Sequence, residues 1–134
     1  MKKALLLLLS AAVLCVFLGG CSRGGKVHIR VFVPDSETGV SGTLFEGDRG
    51  FPGDTVTVDS VMASLDSQGL LEYRFDGVEL AINGLEFFKD ADDFYMRGWS
   101  ITVNGTPAAD GVFTRVRDGD VIEIVYEFID VYYE

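Results

Sequence analysis

Asp118-Gly119-Asp120-Val121-Ile122-Glu123-Ile124-Val125-Tyr126-Glu127-Phe128 decides how the chain reads. Ile122, Ile124, Tyr126 and Phe128 fall on one side of an extended backbone, and Glu123 and Glu127 on the other. That period of two marks a half-buried strand. Asp118-Gly119 lies just ahead of it and supplies the positive φ that a tight turn needs. The same pattern recurs upstream. Trp99, Ile101 and Val103 alternate with Ser100 and Thr102, and Asn104-Gly105 follows. Val27, Ile29, Val31 and Val33 alternate as well, and Pro34 ends their run. Leu71 to Phe75 and Val78 to Ile82 are shorter β-like runs, the second closing on Asn83-Gly84. One stretch changes the period. Val58, Val61, Met62 and Leu65 follow i, i+3, i+4, i+7 spacing, which predicts a helix with its apolar stripe in the core. Asp59 or Ser60 can cap its start, and Gly69 can end it in the left-handed conformation. Residues 35–54 are dense in Gly, Pro and Asp and read as turn-rich, with a short strand expected near Gly42 to Phe45. One early helix among many short strands predicts a small α+β domain, a mostly β sheet with the helix packed on one face.

The chain has 134 residues, enough for one domain and thin for two. Apolar residues make up 48% and charged residues 24%, a balance that buries a core rather than leaving the chain disordered. With 11 Lys and Arg against 21 Asp and Glu, the net charge is −10. Phosphate binding needs clustered cations, so no nucleic-acid partner is expected. One His and two Cys exclude most zinc sites built from those ligands. No internal repeat or low-complexity run interrupts the chain.

The N-terminus reads as an export signal. Lys2 and Lys3 precede an apolar or small-residue run from Ala4 to Gly20, broken only by Ser10. The run falls short of the ~20 residues a membrane-spanning helix needs. Leu18-Gly19-Gly20-Cys21 resembles the bacterial lipobox, which implies cleavage before Cys21 and lipid on its thiol. Residues 1–20 are then the signal, 21–26 the lipidated Cys and a short linker, 27–129 the domain and 130–134 a tail. Cys15 leaves with the signal and Cys21 is acylated, so neither a disulfide scaffold nor a Cys nucleophile is expected. Each buried CH₂ of an acyl chain contributes ~0.8 kcal/mol to membrane binding, so two or three chains hold firmly. From Cys21 on, the chain keeps all the acidic residues and loses Lys2 and Lys3, for a net charge of −12. Anionic headgroups repel such a domain, which leaves the lipid as its main membrane contact. The expected place is extracytoplasmic, anchored to the bacterial cell membrane. Ser22 carries no inner-membrane retention signal of the Asp type, by resemblance to envelope sorting rules, so the outer membrane is expected where a cell has two.

Val78-Glu79-Leu80-Ala81-Ile82-Asn83-Gly84-Leu85, then Trp99-Ser100-Ile101-Thr102-Val103-Asn104-Gly105, then Ala108, Gly111 and Val116-Arg117-Asp118-Gly119-Asp120-Val121-Ile122-Glu123-Ile124-Val125-Tyr126 form an ordered set. The set resembles the bacterial domain of unknown function related to the C-terminal β-domain of transcobalamin and intrinsic factor. The likeness runs from about Val27 to Phe128, and the early helix fits its place in that pattern. It implies a β-grasp-like, ubiquitin-resembling fold. In the vitamin-carrying relatives this domain closes over cobalamin together with a separate helical domain, for which 134 residues leave no room. A corrinoid is thus the ligand the resemblance suggests, with no resident cofactor.

Candidate binding residues lie around the Glu86–Gly98 loop. Phe87, Phe88, Phe94, Tyr95 and Trp99 are interleaved with Asp90, Asp92 and Asp93. Such rings form either a recognition platform rimmed by carboxylates or a lid over the sheet end. Phe88, Tyr95 and Trp99 are the members expected to be partly exposed. Trp99 and its neighbours would stack on a ligand, and Asn104 would give it a hydrogen bond. Asp90-Ala91-Asp92-Asp93 lacks the later ligands and the glycine of an EF-hand loop, so a solvated turn is expected and no metal. His28 sits beside Arg30 with no nucleophile motif anywhere in the chain, and no enzymatic activity is expected. Asn104-Gly105-Thr106 matches a glycosylation sequon but reads as a hairpin turn. The expected function is a lipid-anchored, non-enzymatic binding module that captures a small molecule such as a corrinoid. The alternative is a surface protein-interaction or adhesion module that uses an exposed strand edge or aromatic patch.

Overall fold

The computed structural model describes residues 24–34, 41–89 and 96–129. Its centre is a parallel pair. Strand β1 (Gly24–Val33) lies beside the last strand, β10 (Val121–Phe128), with Ile29 opposite Ile122 and Val31 opposite Ile124. Antiparallel strands flank the pair. β2 (Gly42–Pro52) adds to the outer side of β1, and β7 (Met96–Val103) to the outer side of β10. Short β6 (Phe88–Lys89) and β8 (Thr106–Pro107) both pair with β7. The main sheet order is β2-β1-β10-β7-β6.

Alternation along β1 puts Val27, Ile29, Val31 and Val33 on the buried side. Cross-strand partners continue that side, from Ile122 to Val103, Ile124 to Ile101 and Tyr126 to Trp99. Helix α1 (Val58–Ser67) covers it with Val58, Val61, Met62 and Leu65, all buried. The described residues thus form an α+β domain, a mixed main sheet with one α-helix on its inner face. β3 (Thr55–Thr57) leads into the helix and pairs with β9 (Arg115–Arg117), while β4 (Tyr73–Phe75) and β5 (Leu80–Ile82) form a hairpin.

Both ends of α1 are chemically defined. The start differs from the sequence expectation, since neither Asp59 nor Ser60 is the cap. Thr57 holds an extended conformation and its Oγ1 accepts from the Ser60 backbone N–H at 3.2 Å. Asp59 instead faces the β4 side and accepts from the Tyr73 hydroxyl at 2.6 Å. At the other end Gly69 takes φ +72°, Leu70 N–H donates to Leu65 O and Gly69 N–H to Asp66 O. These bonds satisfy carbonyls that a helix end would leave open. Thr57→Ala should lower stability by about 1 kcal/mol, read as a drop in the thermal midpoint.

Residues 42–52 form an eleven-residue strand, longer than the short strand expected near Gly42 to Phe45. β2 lies at the edge of the sheet, so it needs backbone pairing on one side only. Glycine and aspartate weaken strands mainly by failing to pack. At an edge that cost is small, and Phe45 and Phe51 supply the packing. A register shift between Val31 and Phe32 marks a bulge in the pair. Val78 differs as well. It lies outside β5 because the Asp76 carboxylate accepts from Val78 and Glu79 N–H at 2.8 and 2.7 Å, which fixes a turn there. Those two donors, Glu79 first, hold the Asp76 carboxyl below its ordinary pKa.

The outer face of the sheet is polar. Lys26, His28 and Arg30 of β1 stand between Glu46 and Asp48 of β2 and Glu123 of β10. His28 Nδ1 lies 2.8 Å from Asp48 Oδ1 and its Nε2 lies 3.6 Å from Glu46 Oε1. The hydrogen bond to Asp48 raises the His28 pKa above its ordinary value, and the same bond lowers that of Asp48. A raised histidine contributes stability that is full below the unfolded value of 6.5 and is lost as pH rises through the folded pKa. A lowered aspartate contributes stability above 3.8 that is lost as pH falls through its folded pKa. The pair therefore helps most between those limits. His28→Gln should flatten the fall in thermal midpoint from weakly acidic to neutral pH, by a small amount because both side chains are solvated.

Candidate ligand-binding cleft

Two aromatic side chains are pinned where β7 and β10 run out together. Asn83 and Gly84, with φ of 49° and 79°, reverse the chain after β5. The next residues then pass beside β7. Leu85 O accepts from Trp99 Nε1 at 2.8 Å, and Glu86 O accepts from the Tyr126 hydroxyl at 2.7 Å. The two rings pack with centroids 5.0 Å apart, tilted by 52°. Consecutive carbonyls thus hold residues 85–86 in place, and Phe87 emerges at a fixed point.

Beside it, β7 presents bare backbone. A Cβ at Gly98 would lie 2.9 Å from Ile129 Cδ1 and 3.4 Å from Phe87 Cδ2. Those side chains, with Val78, Leu80 and Trp99, bound a cleft of about 340 Å³ over Gly98. Glu79 is the ionisable residue in its lining. Val78 is 87% exposed and Phe87 42%. Phe88 and Phe128, both exposed and both in register with Arg97, lie on the face of the sheet opposite Gly98 and outside the cleft lining. The buried Arg97 guanidinium lies 4.4 Å from the Phe128 ring centroid. Alternation alone groups Phe128 with the core residues of its strand. It is exposed because α1 and its neighbours cover the sheet only as far as Tyr126.

The structure treats the expected site residues differently. Trp99 lines the cleft, and Phe88 is exposed nearby. Tyr95, Phe94, Asp90, Asp92, Asp93 and the lipidation residue Cys21 lie outside the described residues. Asn104 stands at the far end of β7 from the cleft, roughly 17 Å from Trp99 at the usual strand rise. Both atoms of its amide are engaged. Oδ1 accepts from Val121 N–H at 2.8 Å and Nδ2 donates to Asp120 Oδ1 at 2.9 Å. Asn104 joins two turns and takes no place in the cleft. Val78, Leu80, Gly98 and Ile129 are cleft residues that the aromatic pattern missed. Gly98 carried a signal, since a glycine inside a strand pattern marks close approach of other groups to the backbone. Phe87, for which the sequence left platform and lid both open, forms a wall of the cleft.

Two larger grooves, of about 640 and 390 Å³, lie beyond the C-terminal end of α1 and share Asp66 and Glu72 in their linings. Among the described residues, no group of three or more His, Cys, Asp or Glu could hold a metal ion, and no helix is long and apolar enough to cross a membrane. No protein-family model matches the chain, and no curated protein matches it. Among solved structures it is similar to a crystal structure from Ruminococcus gnavus ATCC 29149, of a protein provisionally described as metal binding. The two share 20% identity with a TM-score of 0.48, covering 79% of this chain and 99% of that one.

Proposed function

We propose that the chain is a lipid-anchored, extracytoplasmic binding module that holds a small molecule without transforming it, and that the cleft over Gly98 is its site. The observation that carries this reading is the group Val78, Phe87 and Ile129, exposed together around a concave site. Scattered apolar residues are ordinary on a protein surface, whereas a contiguous patch around a cleft marks recognition. Trp99 and Phe87 offer ring surface to a flat or apolar ligand.

A corrinoid is the first ligand to test, on the resemblance to the transcobalamin and intrinsic factor β-domain. The parallel central pair β1 and β10, the β1–β2 hairpin and the helix that follows it support a β-grasp-like description. The cleft lies at the low end of the ~300–1,000 Å³ range of small-molecule sites, so it would grip one edge of so large a ligand and leave the rest in water. Calorimetric titration of the protein in detergent with cobalamin and related corrinoids tests the reading. Heat that saturates at micromolar ligand and disappears in Phe87→Ala is the expected result. No heat at high micromolar ligand ends the corrinoid reading. An exposed edge at β2 favours the second reading, a protein contact by strand addition. That reading predicts binding that survives Phe87→Ala.

A further inference from the structure

The strand directions divide the domain into two poles. Gly24, the first residue of β1, pairs with Pro52 at the end of β2. Lys26 N–H donates to Asp118 Oδ1 at 2.9 Å, and Lys26 O accepts from Gly119 N–H. Asp120, bound to Asn104, completes the same pole. It carries Asp54, Asp118 and Asp120, close to the turn at Asn104-Gly105. β10 then runs parallel to β1 and away from this pole, with Phe32 opposite Val125. Continuing that register places Tyr126, and with it Trp99, level with Val33. The cleft therefore stands roughly 30 Å up β1 from Gly24 at the usual strand rise.

Cys21 precedes Gly24 by three residues. An extended chain of that length reaches at most ~10 Å, a third of the distance to the cleft. A lipid on Cys21 thus draws the Gly24–Asp118 pole to the headgroups. Lys26 and Arg117 stand beside the carboxylates of that pole, and the overall negative charge of the domain opposes sinking further into an anionic surface.

We infer that the lipid stands the domain on its Gly24–Asp118 pole and turns the Val78–Phe87–Trp99 cleft away from the bilayer, so that its ligand is a water-borne molecule and not a lipid of the membrane that anchors it. This inference rests on the anchored-module reading proposed above.

Trp99 is the single tryptophan of the chain and lies in the cleft, which makes it a native reporter. The experiment reconstitutes the full lipid-bearing protein into phosphatidylcholine vesicles whose headgroups carry a nitroxide, a contact quencher of indole fluorescence. Flotation separates bound from free protein. Asp54→Trp adds a second indole at the exposed turn of the opposite pole, and Thr55→Trp serves if that variant does not fold. The expected result is floated protein whose Trp99 emission is the same with and without the nitroxide, and loss of emission from the added indole. Floated protein with Trp99 quenched, or with both indoles unaffected, overturns the orientation while leaving the anchor in place. Protein that stays out of the floated fraction overturns the anchor, and the orientation with it.

Discussion

Phe51→Ala is expected to lower the stability of the domain by about 3–5 kcal/mol, a large share of the 5–15 kcal/mol typical of a folded domain. Phe51 is buried near the end of β2 and belongs to the same cluster as Val27, Val58 and Leu65. Its ring lies on Gly25, its partner across the β1–β2 pair. A Cβ built on Gly25 would stand 2.4 Å from Phe51 Cζ. Glycine leaves the space that the ring occupies, and the ring shields the backbone that glycine exposes. The reciprocal change follows from the same geometry. Gly25→Ala drives a methyl into the ring and should cost about 1–3 kcal/mol. Once Phe51 is already Ala, the ring is gone and the methyl meets no obstacle. Gly25→Ala should then be nearly neutral or mildly stabilising, and the double-mutant cycle should show strong coupling. Urea unfolding followed by Trp99 fluorescence measures all four corners. Additive losses would mean that ring and glycine act independently and that the packing is misread.

The pair also shows where sequence reading stops. The two long central strands, the helix and the tight turns were legible because each had its own local signal. β1 and β10 alternate over several residues, the Val58–Leu65 stripe has helical spacing, and the Asn-Gly and Asp-Gly turns take the positive φ that their composition implies. β2 was not legible beyond Phe45, because its interior glycines and aspartate carry the composition of a turn. Only pairing with β1 makes it a strand, and pairing lies outside any local window. The cap at Thr57 lies two residues ahead of Asp59, the nearer of the two expected, for a similar reason. Thr, Asp and Ser stand within four positions, each a good cap, and the choice depends on where β3 hands over to the helix. In the candidate site, Trp99 was visible as an aromatic in a dense cluster. Val78, Leu80 and Ile129 were not, since residues so far apart in sequence meet only when β5, β7 and the end of β10 converge.

Asn104→Ala is expected to cost about 3 kcal/mol, the sum of two hydrogen bonds at ~1 kcal/mol each and about 1 kcal/mol of left-handed backbone strain. Asn104 has φ 52°, a conformation that glycine and asparagine accept more readily than alanine. Its amide bridges two turns, with Oδ1 on Val121 N–H and Nδ2 on Asp120 Oδ1. Asp120 is drawn tighter still by the Arg117 N–H, which is the main cause of its lowered pKa. Three substitutions separate these contributions. Asn104→Gly removes the amide and keeps the backbone at ease, so it should cost about 2 kcal/mol. Asn104→Asp keeps an acceptor for Val121 N–H but sets a carboxylate against Asp120 in place of a donor. Its penalty should therefore shrink as the pair is protonated in acid, which neither Gly nor Ala shows. Thermal midpoints across pH read all three. The same variants distinguish a clamp from a ligand-contacting group, because the clamp lies at the pole opposite the cleft. Any ligand held over Gly98 should bind Asn104→Gly with wild-type affinity under conditions where the variant is folded. A loss of affinity there, at unchanged Trp99 fluorescence of the free protein, would place Asn104 back among the binding residues and move the site toward the Asp118 turn.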